Sequence, residues 1–247
     1  MMPLFTVTMP ANAGMFFAQM MQIAAFEIID TKPYLDEYLR LEPSDPVNAN
    51  FEAVGLESVY FLHNLGTLAV AFVFFVAVSL FSALLVLCTN KKVNHTGEKL
   101  QQKLFWGALI NLVTESYSML TVSCMINLRY LQWNAVNLAF MSLLTIVVTL
   151  VLLALPIYIG RLLSNNFNVL DHSKFKRKYS AFYCELHLHN GQMVLLQPIW
   201  FFVRRFLLAM MVVFCGTTVI WQIALMTTNV VVQVIILGRV KPFALPS

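Results

Sequence analysis

The sequence predicts an all-α fold, a polytopic transmembrane helix bundle of about five spans, and three observations carry that reading. Of 247 residues, 59% are hydrophobic and 11% are charged, where a soluble domain carries roughly 25% charged residues. Five stretches match the roughly 20 apolar residues that a helix rising about 1.5 Å per residue needs to cross about 30 Å of hydrocarbon. The charge is also polarised along the chain. Residues 1–60 hold Glu27, Asp30, Asp36, Glu37, Glu42, Asp45, Glu52 and Glu57 against Lys32 and Arg40, while the remainder is basic. The net charge of +4 is too small and too unevenly spread for a nucleic-acid partner. Cysteines at 88, 124, 184 and 215 form no C-x-x-C pair and leave the acidic segment empty, which excludes a disulfide framework and a zinc ribbon.

Taken in order, residues 1–60 form an acidic extracytoplasmic segment. Its apolar patch Met9–Ile29 is interrupted by Asn12, Gly14, Gln19, Gln22 and Glu27, so it predicts an interfacial or re-entrant helix rather than a span. No basic stretch precedes it as in a signal peptide, and Met1-Met2 before Pro3 fits the start of a fragment. Residues 61–247 form the membrane domain. The first span, about 61–88, is apolar all round through Leu68-Ala-Val-Ala-Phe-Val-Phe-Phe-Val. The second, about 104–128, is more polar. The third, about 137–159, is the purest, and Pro156 is expected to bend or end it. The fourth, about 199–214, follows Pro198, and the fifth covers about 219–237, with Gly216-Thr217-Thr218 as a tight hairpin between them.

Basic residues collect on one side of these spans: Lys91, Lys92, Lys99 and Lys103 in the first loop, Arg161, Lys174, Lys176, Arg177 and Lys178 in the next, and Arg239 and Lys241 in the tail. The positive-inside rule then places the N-terminus outside the cytosol and the C-terminus within it, in the plasma membrane or an endomembrane. The lipid bilayer is the first partner. Lys174, Lys176, Arg177 and Lys178 beside the membrane are candidates for contact with anionic lipids, although plain topology signalling explains the same cluster.

Polar groups inside a span are costly, about 2.5–3.5 kcal/mol for a charge at a helix centre, and therefore informative. On the second span Asn111, Thr114, Glu115, Ser118 and Thr121 project onto one stripe, with Glu115 near the middle. Glu115 reads either as a protonatable or cation-attracting group on an aqueous path, or as the partner of Arg204 or Arg205 on the fourth span. On the fifth span Thr218, Gln222, Asn229 and Gln233 share a face with Met226, a stripe that suits either a pore lining or hydrogen-bonded helix packing. His172, Cys184, His187 and His189 fit no metal pattern, and His187-Leu188-His189 reads as an extended segment, so no metal and no cofactor are expected. No phosphate loop, H-E-x-x-H or G-x-S-x-G occurs, which argues against an enzyme.

Several segments taken together carry a resemblance: Pro10-Ala-Asn-Ala-Gly-Met-Phe-Phe, Leu41-Glu-Pro-Ser-Asp-Pro-Val-Asn, Glu115-Ser-Tyr-Ser-Met-Leu and Gln197-Pro-Ile-Trp-Phe-Phe-Val-Arg-Arg-Phe, ending at Gly238-Arg-Val-Lys-Pro-Phe. They resemble the C-terminal membrane region of protist surface proteins with cysteine-rich, furin-like repeats, a region similar to the TRP-like and polycystin-like channel superfamily. The resemblance implies a multi-pass protein contributing to cation permeation or sensing, arranged as a homo-oligomer. Two departures stand against it. The cysteine-rich ectodomain is absent, and the fourth and fifth spans are joined too closely for a pore helix and filter like those of tetrameric cation channels, which fits a fragment that does not conduct as a lone protomer. The alternatives are a non-conducting anchor or receptor region and an ion-coupled transporter using Glu115.

Overall fold

In hydrocarbon every backbone amide and carbonyl must find its partner within the chain, and an apolar stretch does this as an α-helix. A computed structural model describes Glu37, Phe51, Leu56 and residues 58–87, 108–170, 172, 175, 178–179, 182–183, 186, 191–215 and 219–240. These residues build an all-α bundle of six α-helices: α1 (Phe61–Leu65), α2 (Thr67–Leu87), α3 (Leu109–Arg129), α4 (Val136–Asn165), α5 (Leu196–Phe214) and α6 (Val219–Val240). Four long apolar segments suffice to cross a membrane: Leu109–Arg129, Val136–Asn165, Gln192–Phe214 and Ile220–Val240. On α2 the described apolar stretch is Val70–Leu84. Residues 9–29, 89–103 and 216–218, and with them the expected interfacial helix and hairpin, lie outside the described residues.

Three helix boundaries differ from the sequence reading, each for a local reason. The first stretch is broken at Gly66, whose φ of +44° is tolerated by glycine and separates α1 from α2. The α4 helix neither ends at 159 nor stops at Pro156 but continues to Asn165. Proline withholds one amide from the ladder, and packing of the flanking turns outweighs that single loss. The α5 helix begins at Leu196, before Pro198, and is preceded by a 3-10 turn at Gln192–Leu195. First-turn amides have no intrahelical acceptor, so a proline there removes nothing.

Backbone proximity divides the chain into two units: residues 1–69, 118–155 and 203–232 form the first, and residues 70–117, 156–202 and 233–247 the second. In the first unit, Val122, Met125 and Ile126 of α3 pack with Ala209, Val212 and Val213 of α5 and with Phe51 and Leu56. Met119, Leu128, Phe206, Leu208 and Met226 close over this core. Arg129, the last residue of α3, donates from Nη1 to the carbonyl of Val213 in the last turn of α5. The C-terminal ends of these two helices therefore meet.

The second unit is built on aromatic packing. Tyr117 meets Phe202 edge-on at 4.9 Å, and Phe201 and Phe182 lie against the same ring. Buried Tyr183 donates its hydroxyl to the carbonyl of Leu170 at 2.8 Å. Gly160 of α4 lies under Ile199 of α5 so closely that an added Cβ would stand 2.9 Å from Ile199 Cδ1. Glycine is the residue that permits this approach.

Large apolar side chains face outward: Val73, Phe74 and Leu80 on α2, Leu150 and Ile157 on α4, and Ile220 and Val234 on α6 are all more than half exposed. A water-soluble monomer rarely exposes so extensive an apolar surface. These helices fit a multi-pass integral membrane protein surrounded by lipid.

Candidate polar path

The clearest polar feature is one face of α6. Gln222 and Asn229 are buried, Met226 and Gln233 half-buried, while Trp221, Ile223, Val230 and Val234 on the other faces are exposed. Met226, lying between the two buried amides, packs against the first unit's core, which shows that the stripe faces protein. Gln222 donates from Nε2 to the carbonyl of Cys215 at 3.1 Å, tying the start of α6 to the end of α5. The side-chain oxygens Asn229 Oδ1 and Gln233 Oε1 are buried with no hydrogen-bond partner in the structure. An unsatisfied buried acceptor costs about 1–3 kcal/mol. Amide oxygens of this kind accept a hydrogen bond from water or coordinate a monovalent cation. Thr218, the remaining member of the stripe, lies outside the described residues.

The α3 residues divide differently from their projection on a helical wheel. Asn111 and Glu115 are exposed, Thr114 and Ser118 half-buried, and Thr121 buried. The reason is depth along the helix: Leu120 to Asn127 are buried on every side, whereas the turns before Ser116 are enclosed on part of their circumference. Glu115 stands about 9 Å from Leu109 and about 21 Å from Arg129 along the axis. Within the second unit it lies about 3 Å along α3 from Tyr117, which meets Phe202, while Ile199, about one turn from Phe202, covers Gly160 beside Arg161.

Arg204 and Arg205 are half-buried in the first unit, and Arg204 Nε is buried without a partner. Glu115 belongs to the second unit, and among the described residues no hydrogen bond or ion pair is made to its side chain. Lys178 is exposed; Lys174, Lys176 and Arg177 lie outside the described residues, as do Cys184, His187 and His189. No group of three metal-ligating side chains occurs among the described residues.

Sequence reading missed a second polar surface on α3. Ser116, Ser123 and Asn127 are all buried and lie on one face at steps of seven and four. Ser116 donates to the carbonyl of Leu112, and Asn127 donates from Nδ2 to the carbonyl of Val59 at 3.1 Å. Ser123 Oγ and Asn127 Oδ1 have no hydrogen-bond partner. The spacing was present in the sequence, but the charge of Glu115 drew attention to the opposite face. Cys124 is buried on the same helix, and Thr149 of α4 donates to the carbonyl of Thr145. Comparisons with protein-family models, with characterised proteins and with solved structures find no match.

Proposed function

We propose that this multi-pass protein is a TRP-like membrane module that contributes to cation permeation or sensing, with the α6 face of Gln222, Asn229 and Gln233 beside the aqueous path. One observation supports this reading above the others: two amide oxygens on that face, Asn229 Oδ1 and Gln233 Oε1, are buried and unpartnered on a helix whose exposed large side chains, Trp221, Ile223, Val230 and Val234 among them, are apolar. Water or a partly dehydrated cation supplies what those oxygens lack. Asn111, Glu115 and Ser118 then serve as a polar approach on α3, Glu115 adding a negative charge that raises the local cation concentration.

The test is flux through the purified chain in liposomes. Asn229→Leu and Gln233→Leu should each lower cation flux several-fold while the protein remains folded and membrane-inserted. Absence of current from the wild-type chain in every oligomeric or stimulated state would overturn the conducting reading.

A second reading rests on the Gln222 bond to Cys215, which uses the same face for packing. In that case the chain is a non-conducting anchor or receptor region whose acidic residues 31–58 contact a partner, and Gln222→Leu with Gln233→Leu impairs assembly and leaves ion flux unchanged. In both readings the N-terminus lies outside the cytosol, and Asn94, in the Asn94-His95-Thr96 sequon, stays unglycosylated on the cytosolic side. A glycan on Asn94 would invert the topology. Homo-oligomeric assembly and contact of Lys174, Lys176, Arg177 and Lys178 with anionic lipid belong to the same proposal.

A further inference from the structure

We infer that the connection between α3 and α4, residues 130–135, together with the flanking Arg129 and Val136, is an interfacial anchor that seats in the headgroup layer of the bilayer. A connection facing water ordinarily exposes polar side chains and turns apolar ones inward. Here Gln132 and Asn134 are exposed, and the apolar side chains are exposed beside them. Tyr130, Leu131, Trp133 and Val136 are all exposed, Val136 by 86% and Trp133 by 56%, and Phe140 continues the surface into the first turn of α4 at 54%.

The backbone of the connection is meanwhile satisfied from within. Ser142 Oγ donates to the carbonyl of Gln132 at 2.9 Å and accepts the Gln132 amide at 3.3 Å. The Tyr130 amide bonds the carbonyl of Asn127, and the Ala139 amide that of Ala135. The loop is therefore held in one shape with its apolar side chains outward. Arg129 is fixed at its start by Val213, and its guanidinium lies 5.7 Å from the Tyr130 ring.

The occupant of this surface follows from its position and chemistry. The connection joins two apolar helices long enough to cross a membrane, so it stands where hydrocarbon gives way to headgroups. Tyrosine and tryptophan favour that layer because their rings prefer lipid while the hydroxyl and indole N–H donate to ester and phosphate oxygens. Arg129 adds a cation for phosphate. A phospholipid interface supplies the apolar contact, the acceptors and the anion together.

The test is depth-resolved quenching of Trp133 fluorescence in proteoliposomes. Trp106→Phe, Trp200→Phe and Trp221→Phe together leave Trp133 as the only indole; should that variant misfold, the difference between the wild-type protein and Trp133→Phe isolates the same signal, since Trp133 is exposed. Expected is an emission blue-shifted from that of tryptophan in water, quenched more strongly by bromines near the ester than by bromines at the chain end or by aqueous iodide. Water-like emission fully quenched by iodide would overturn the inference, and so would a signal quenched by neither agent, which would mean that protein covers the loop. Strongest quenching at the chain end would also overturn it. Resistance of the same sample to carbonate extraction keeps this failure distinct from a failure of the membrane reading.

Discussion

Arg129 donates a hydrogen bond to the carbonyl of Val213, closing the C-terminal end of α5 with the last side chain of α3. The final carbonyls of a helix lack intrahelical donors and carry the negative end of its dipole, so a guanidinium there satisfies an acceptor and complements the field. Replacing it removes both effects. Arg129→Met should lower stability by on the order of 1 kcal/mol, read as a lower thermal midpoint of the detergent-purified protein. Arg129→Lys should recover part of the loss, because a point charge keeps the dipole interaction and loses the directed bond.

Gly160 and Ile199 set a contact at which side-chain size decides the outcome. In Gly160→Ala the new Cβ meets only the end of a movable isoleucine, and the gain of up to about 1 kcal/mol in helix propensity offsets the crowding, so this variant should be close to neutral. Gly160→Leu should cost about 1–3 kcal/mol through overpacking. Adding Ile199→Ala should return most of that loss, and a double-mutant cycle on thermal midpoints measures the coupling.

Gln222 separates the structural part of the α6 stripe from the rest. Its Nε2 already has the Cys215 carbonyl as a partner, whereas the oxygens of Asn229 and Gln233 have none. Gln222→Leu should therefore lower stability by about 1 kcal/mol. Asn229→Leu should leave stability unchanged or raise it if the site is dry, and lower cation flux if water or a cation occupies it. Paired melts and flux assays on the two variants make the distinction.

Ser142 holds both backbone polar groups of Gln132. Ser142→Ala leaves that amide and carbonyl without their partner, at a cost of about 1–3 kcal/mol where they are shielded from water. Hydrogen exchange at the Gln132 amide should rise, and the Trp133 emission maximum should broaden as the loop loses its fixed shape. Unchanged exchange at Gln132 would show that the loop is held by other means.

Much of the fold was legible because lipid makes the sequence code simple. A span such as Ile146-Val-Val-Thr-Leu-Val-Leu-Leu-Ala-Leu needs no partner to be read as a helix, since backbone satisfaction in hydrocarbon leaves no alternative. That Gln222 and Asn229 share a buried face of α6 follows from their spacing of seven and the large apolar side chains at Trp221, Ile223, Val230 and Val234. The α3 stripe was not legible. Its Asn111 and Glu115 are exposed while Ser116, Ser123 and Asn127 are buried, and a helical wheel compresses the axis along which enclosure changes.

The amino-acid sequence by itself determined that the protein is an all-α membrane bundle and where its apolar helices lie, because transfer into lipid depends on composition within one segment at a time. Tertiary structure decided that α4 continues beyond Pro156, that Ser116, Ser123 and Asn127 of α3 are buried while Asn111 and Glu115 are exposed, and that the α3–α4 connection leaves Trp133 exposed. Each of these depends on which helix stands beside which, at what level and through which side chain. Such pairwise facts have no counterpart in the hydropathy of a single segment.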